Sequence, residues 1–223
     1  MTKVILQKPA LVCYDWDNTL VDTNVLCIHC FNVVFAKRGI PLIDQNQMDV
    51  INGYIFDDYL KERFGDDYET IKAEYSKLYV DNVKEMLKPL PNAIETVSYI
   101  HNLGIRQVVI SNKSSDMIRE EAARMGFSPY IEHFFGLNDF GVAKPDPRFF
   151  DSVVERISFD KSNLNSENLI FFGDSSVDIN FAKNINAKLI FVGPDYILKN
   201  SGYNNSIFAG NHTNLLNAVE FDF

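Results

Sequence analysis

Three cysteines in 223 residues are too few, and an odd number, for a disulfide framework. Basic residues are short as well: 21 Lys and Arg stand against 30 Asp and Glu, a formal net charge of −9. That deficit excludes non-specific attraction to nucleic acid or to anionic membranes. An anionic ligand must therefore be caught locally, by a metal, a lysine or backbone N–H groups. No apolar run approaches the roughly 20 residues that span a bilayer, and Met1–Pro9 lacks the apolar stretch of a secretory signal. Repeats and low-complexity segments are missing too. These absences lead us to expect a soluble cytoplasmic protein with no nucleic-acid partner, no membrane partner and no obligatory protein partner.

What is present is 46% hydrophobic residues, enough for one large domain or a core domain with an insert. Four short apolar runs stand out: Leu11–Tyr14, Gln107–Ile110, Leu169–Phe172 and Leu189–Val192. Continuous rather than alternating runs fit parallel strands covered on both faces. Helical patterns lie between them, near Asn92–Leu103, Asp116–Met125, Arg148–Ile157 and Val177–Asn186. This alternation predicts an α/β fold with a doubly wound parallel sheet. Residues 21–88 break the rhythm with three helical patterns, Thr23–Lys37, Gln47–Phe64 and Tyr68–Leu87, and no convincing strand. The predicted division is a core of 1–20 plus 89–223 and a helical insert of 21–88. Such an insert would sit over the carboxyl ends of the strands, where open α/β sheets bind ligands. The tail, Asn200–Phe223, reads as loop until a short helix at Thr213–Val219.

Each predicted strand ends in a polar group of its own kind. Asp15 and Asp17 follow the first, Ser111 and Asn112 the second, and Asp174 and Asp178 follow Leu169–Phe172. Lys144 lies before the last of these, in Ala143-Lys144-Pro145-Asp146-Pro147. All fall at one edge of the proposed sheet. Ionised carboxylates at the end of a buried strand are costly without a metal or a cationic partner. With Asp17 protonated, Asp15, Asp174 and Asp178 carry −3, which one Mg²⁺ and Lys144 balance. Hard oxygen ligands favour Mg²⁺.

The order Asp15-x-Asp17-x-Thr19, Ser111, Lys144-Pro145, Gly173-Asp174-x-x-x-Asp178 resembles the haloacid dehalogenase superfamily. The insert resembles that family's helical cap, and among its members the chain is similar to phosphoglycolate-phosphatase-like and β-phosphoglucomutase-like enzymes. The resemblance implies a phosphoric monoester hydrolase working through an aspartyl-phosphate on a small phosphorylated metabolite. Asp15 is then the nucleophile, and Asp17 the acid and base with a raised pKa. Lys144 is the catalytic cation. Ser111, Asn112, Thr19 and Gly53 are expected to bind substrate. Mg²⁺ is expected on Asp15, Asp174 and the carbonyl of Asp17, with Asp178 holding a metal-bound water or Lys144.

Other readings follow from particular residues. Mutase-like relatives carry an arginine shortly before the cap glycine; Asn46-Gln47-Met48-Asp49 has no cation there, which lowers β-phosphoglucomutase-like transfer to an alternative. Lys61 and Arg63 are further along and read as solvated. A phospho-accepting signalling module also pairs acids, a hydroxyl and a lysine, but its acceptor aspartate follows a later strand. Cys27-Ile28-His29-Cys30 has no second ligand pair for zinc and reads as helix packing. Trp16 reads as packing, and Phe31, Val34 and Phe35 as one helix face.

Overall fold

The structure is a computed structural model describing residues 4–52 and 54–222. The first strand of the main sheet is β1 (Leu11–Tyr14), followed by four helices, α1 (Asn24–Ala36), α2 (Gln45–Ile51), α3 (Phe56–Phe64) and α4 (Tyr68–Met86). The chain then alternates: α5 (Ala93–Asn102), β2 (Arg106–Ile110), α6 (Ser115–Met125), β3 (His133–Phe135), α7 (Leu137–Phe140) and α8 (Pro147–Arg156). It continues through β4 (Leu169–Gly173), α9 (Ser176–Asn184), β5 (Lys188–Phe191), α10 (Asp195–Ser201), β6 (Ser206–Phe208) and α11 (His212–Ala218). Two compact units result, Met1–Val21 with Pro89–Phe223, and Asp22–Lys88.

In the first unit the six strands form one parallel sheet in the order β3-β2-β1-β4-β5-β6. Pairing runs outward from β1 in both directions, so the order reverses between β1 and β4. Ligands of open α/β sheets bind at such a switch point, beyond the carboxyl ends of the strands. The four central strands are mostly apolar because both faces are covered, with Arg106, Gln107 and Lys188 at their amino ends. Leu11, Cys13, Val108, Ile110, Phe171 and Phe191 join one buried cluster on one face with Phe149 and Phe181 from the helices. On the alternate positions the Tyr14 ring meets Phe172 at 4.7 Å, tilted by 35°, and its hydroxyl donates to Gln107 Oε1 at 2.6 Å.

The Gln47–Phe64 pattern is two helices rather than one. Asp44 caps α2 through a reciprocal box: it accepts from Gln47 N–H while Gln47 Oε1 accepts from Asp44 N–H. The helix therefore starts earlier, at Gln45, and ends at Ile51; α3 restarts after extended Ile55. Phe31, Phe35, Phe56 and Tyr75 pack together within this unit, and Tyr75 O–H contacts Cys27 Sγ at 2.9 Å. The cysteine pair is thus packing material.

Two edge strands, β3 and β6, escaped the sequence reading, because three residues are too few to show a pattern. The tail is also more ordered than expected. Besides β6 and α11, Val219–Asp222 pairs in parallel with Val4–Gln7. Among the described residues no helix is long and apolar enough to cross a membrane.

Candidate active site

Strand register brings the polar strand ends level. Tyr14 sits opposite both Val109 and Phe172, and Asp15 N–H continues the ladder to the Phe172 carbonyl at 2.9 Å. Asp15 is therefore level with Ile110 and Gly173, and Ser111 and Asp174 come one residue later. All of these are buried.

Asp15, Asp174 and Asp178 each place one carboxylate oxygen within 4.8 Å of the others. Lys144 is sunk among them, its ammonium 2.7 Å from Asp15 Oδ1 and 2.7 Å from Asp178 Oδ1, with its side chain 3% exposed. Three carboxylates and one ammonium leave a formal −2. Burial pushes Asp15 up from 3.8 to about 6, against the pull of Lys144 and with the help of Asp178 and Asp17. Asp174 is driven well above the carboxylate range by burial first, then by Asp178 and Asp15. Burial would neutralise Lys144, but the two carboxylates outweigh it and hold the ammonium protonated. Hard oxygen donors, close together and short of positive charge, suit a divalent cation such as Mg²⁺.

Asp178 is held from several sides. Its Oδ2 accepts from the N–H groups of Asp174 and Ser175, and from the Ser175 hydroxyl at 2.6 Å. Ser175 is the N-cap of α9 and Asp178 its third residue, so the helix start and the site are one construction. Backbone approach is equally tight. A Cβ on Gly193 would lie 2.0 Å from the Asp174 carbonyl oxygen, and one on Gly173 would lie 2.3 Å from Asp178 Cβ. Gly193, which the sequence reading passed over, is what lets the end of β5 approach the Asp174 loop.

Several expectations need correction. Thr19 does not present its hydroxyl to a substrate: it is fully buried and donates to Asp174 Oδ1 at 3.1 Å. The Asn112 side chain does not face a substrate either. Both ends of its amide bind the Lys144 peptide, accepting from Lys144 N–H at 2.7 Å and donating to its carbonyl at 3.1 Å. Asn112 thereby fixes the backbone that carries Lys144. Asp17 does not join the carboxylate group; its Oδ1 lies 3.0 Å from Lys113 Nζ. Gly53 lies outside the described residues. In the helical unit, Gln47 is committed to its cap, Lys61 lies over the Tyr68 ring, and Arg63 lies over Phe35 and Phe64.

Two residues outside the sequence motifs support this loop. His212 stacks parallel to Phe172, contacts Thr96 Oγ1 and donates from Nε2 to the Thr19 carbonyl at 2.6 Å. Burial depresses its pKa, which keeps it neutral. Lys113 is the other; its signal was its place directly after Ser111-Asn112 in a chain short of cations.

Residues 12–192 match the haloacid dehalogenase-like hydrolase family. The chain is 24% identical over 195 residues to a phosphoglycolate phosphatase of Caulobacter vibrioides, covering 84% of this chain and 80% of that one. It is 24% identical over 201 residues to the pyrophosphatase PpaX of Halalkalibacterium halodurans, covering 84% and 91%. Its fold is shared with a haloacid dehalogenase-like hydrolase of Streptococcus pneumoniae, at a TM-score of 0.76 and 16% identity over 94% of this chain and 97% of that one. With the family matched across most of its length, the chain belongs to the haloacid dehalogenase-like hydrolases.

Proposed function

We propose that this protein is a magnesium-dependent phosphatase that hydrolyses a small phosphomonoester through an aspartyl-phosphate on Asp15. The observation that carries the reading is the buried group of Asp15, Asp174 and Asp178 with Lys144 bonded to two of them. Its deficit of positive charge matches a divalent cation, and a phosphoryl group enters such a site only with that charge supplied.

Asp15 and Asp174 would hold the Mg²⁺, with Asp178 beside them and bonded to Lys144, and the ion would supply neutralisation of the phosphoryl oxygens. The Asp15 carboxylate attacks phosphorus, forming an acyl phosphate on Asp15 as the bond from phosphorus to the leaving oxygen breaks. Asp17 gives its proton to that oxygen, so the product leaves as an alcohol. Asp17, now a carboxylate, takes a proton from water. The resulting hydroxide attacks phosphorus, releasing phosphate and restoring Asp15. Ser111 donates to a phosphoryl oxygen, and Lys144 holds Asp15 in line and balances its charge. Phosphoglycolate is the first substrate to try, since phosphoglycolate phosphatases are among the relatives; pyrophosphate is the second. Hydrolysis is favoured over phosphoryl transfer between sugar hydroxyls because Asn46–Asp49 offers no cation for a second phosphate, and Gln47 is spent on its helix cap.

The test is phosphate release from phosphoglycolate, hexose phosphates, nucleoside monophosphates and pyrophosphate, with Mg²⁺ and with EDTA. Multiple turnover that needs Mg²⁺ is expected; a single stoichiometric phosphorylation would point to a signalling module, and no release from any of them would remove the phosphatase reading.

Metal binding should also register in stability. Asp15 has its pKa raised from 3.8 to about 6 by folding, so the folded chain holds that proton more tightly than the unfolded one. Its stabilising contribution is complete below 3.8 and is lost as pH rises through about 6. In EDTA, the melting temperature should therefore fall across that interval. Saturating Mg²⁺ at pH 7.5 should restore about 2.7 kcal/mol, or roughly 5–10 °C. At pH 5 the shift should be much smaller, because the metal must displace protons. Equal shifts at both pH values would place the ion elsewhere.

A further inference from the structure

We propose that Lys113 is the positioning residue for Asp17, and that Glu121 and Trp16 exist at this place to hold it. The inference rests on the acid–base role assigned to Asp17 above.

Lys113 Nζ lies 3.0 Å from Asp17 Oδ1 and 2.8 Å from Glu121 Oε2. That same Glu121 oxygen accepts from Trp16 Nε1 at 2.7 Å. Trp16 and Asp17 are adjacent in the chain, so the contacts close a ring: indole to glutamate, glutamate to lysine, lysine to aspartate, and back through one peptide bond. Three of its members are sunk in the fold, with Lys113 9% and Glu121 5% exposed by side chain and Trp16 fully buried. Asp17 is the member that reaches outward, at 29%. The ring is braced on one side by Phe127 and Phe134, which meet the indole edge-on. On the other it is braced by α6, whose first residue is fixed by Asn138.

A buried Lys–Glu pair is a poor device for stability alone, since desolvation offsets most of its attraction. Its geometry serves a different end. A general acid must deliver its proton within hydrogen-bond reach of the leaving oxygen. A half-exposed aspartate would otherwise sample several rotamers. Lys113 fixes Oδ1 and so the rotation of the whole carboxylate. Glu121 neutralises Lys113, which keeps that ammonium from drawing the phosphoryl group away from Lys144. The indole makes the orientation of Glu121 depend on the same short loop that carries Asp15 and Asp17.

The experiment compares two probes: p-nitrophenyl phosphate, whose leaving group departs without a proton, and phosphoglycolate or the best alkyl phosphomonoester of the panel, whose leaving group needs one. The ratio kcat/KM reports the steps through formation of the phosphorylated Asp15. Lys113→Met should lower kcat/KM for the alkyl ester about 100-fold and for the aryl ester less than about threefold, the difference being the acid assistance lost. Lys113→Arg should recover part of the alkyl activity. The buried emission of Trp16, the chain's one tryptophan, checks the fold of each variant. If Lys113→Met does not fold, Glu121→Gln decides: its alkyl activity should fall about tenfold, with the aryl activity again spared. Equal losses on both probes, or a rise in KM alone, would overturn the proposal while leaving the phosphatase in place. A wild-type protein that turns over neither probe with Mg²⁺ would overturn the phosphatase reading itself, and this inference with it.

Discussion

Asp15→Asn should abolish turnover while leaving the fold at least as stable as the wild type. An amide cannot form the acyl phosphate, so kcat should fall by at least about four orders of magnitude, as when a covalent nucleophile is removed elsewhere. Stability should move the other way. Asp15 is raised to about 6 even with Lys144 beside it, so its charged form is a net cost to the metal-free fold above that pH. Asparagine fills nearly the same volume without the charge, and Lys144 keeps Asp178 as a partner at 2.7 Å. In EDTA at pH 7.5 the variant should melt no lower than the wild type, and added Mg²⁺ should raise its melting temperature less. Phosphate release and thermal melts on the same samples check both halves. Residual turnover within tenfold of wild type would remove Asp15 as the nucleophile; a marked loss of stability would mean that its carboxylate is chiefly a structural partner of Lys144.

How much of this was legible in the sequence depends on the range of the interaction. The central strands were legible because burial on both faces writes itself as a continuous apolar run, and Leu11–Tyr14 coincides with its strand residue for residue. Core helices were legible to within a residue or two, as in α6 and α8. Edge strands His133–Phe135 and Ser206–Phe208 were not, because they are held by one neighbour and are too short to carry a period. In the site, the strand ends announce which residues come together, since parallel strands deliver their carboxyl ends to one edge. They do not announce which way each side chain turns. Thr19 sits in the same motif as Asp15, yet its hydroxyl is bonded 155 residues away, on Asp174. Asn112 adjoins Ser111, yet its amide is bonded to the Lys144 backbone. Lys113 meets Asp17 across 96 residues. Those choices are made by packing in three dimensions and leave no local trace.

Lys144→Met should be the most destabilising change in the site. Lys144 bonds Asp15 and Asp178 at once, and all three side chains are almost wholly enclosed. Methionine matches the aliphatic stem, and would rest near the Phe171 ring that the ammonium now overlies at 5.4 Å, but it leaves two carboxylates unpaired. Breaking a buried pair by removing one member costs about 3–5 kcal/mol, which for a chain of this size is a drop of roughly 6–20 °C in melting temperature. The deficit should depend on pH in a fixed direction. Without the lysine, the Asp15 proton is held still more tightly in the fold, so protonation relieves the damage. The gap between variant and wild type should be wide at pH 8 and narrow towards pH 5. Adding Asp178→Asn to Lys144→Met removes one of the orphaned charges and should recover part of the stability. It should recover none of the activity, because the cation that balances Asp15 during phosphoryl transfer is still missing. Melts in EDTA at the two pH values, beside phosphate release with Mg²⁺, separate charge from shape: a deficit that stays the same at pH 5 and pH 8 would mean that Lys144 matters to the fold through packing alone.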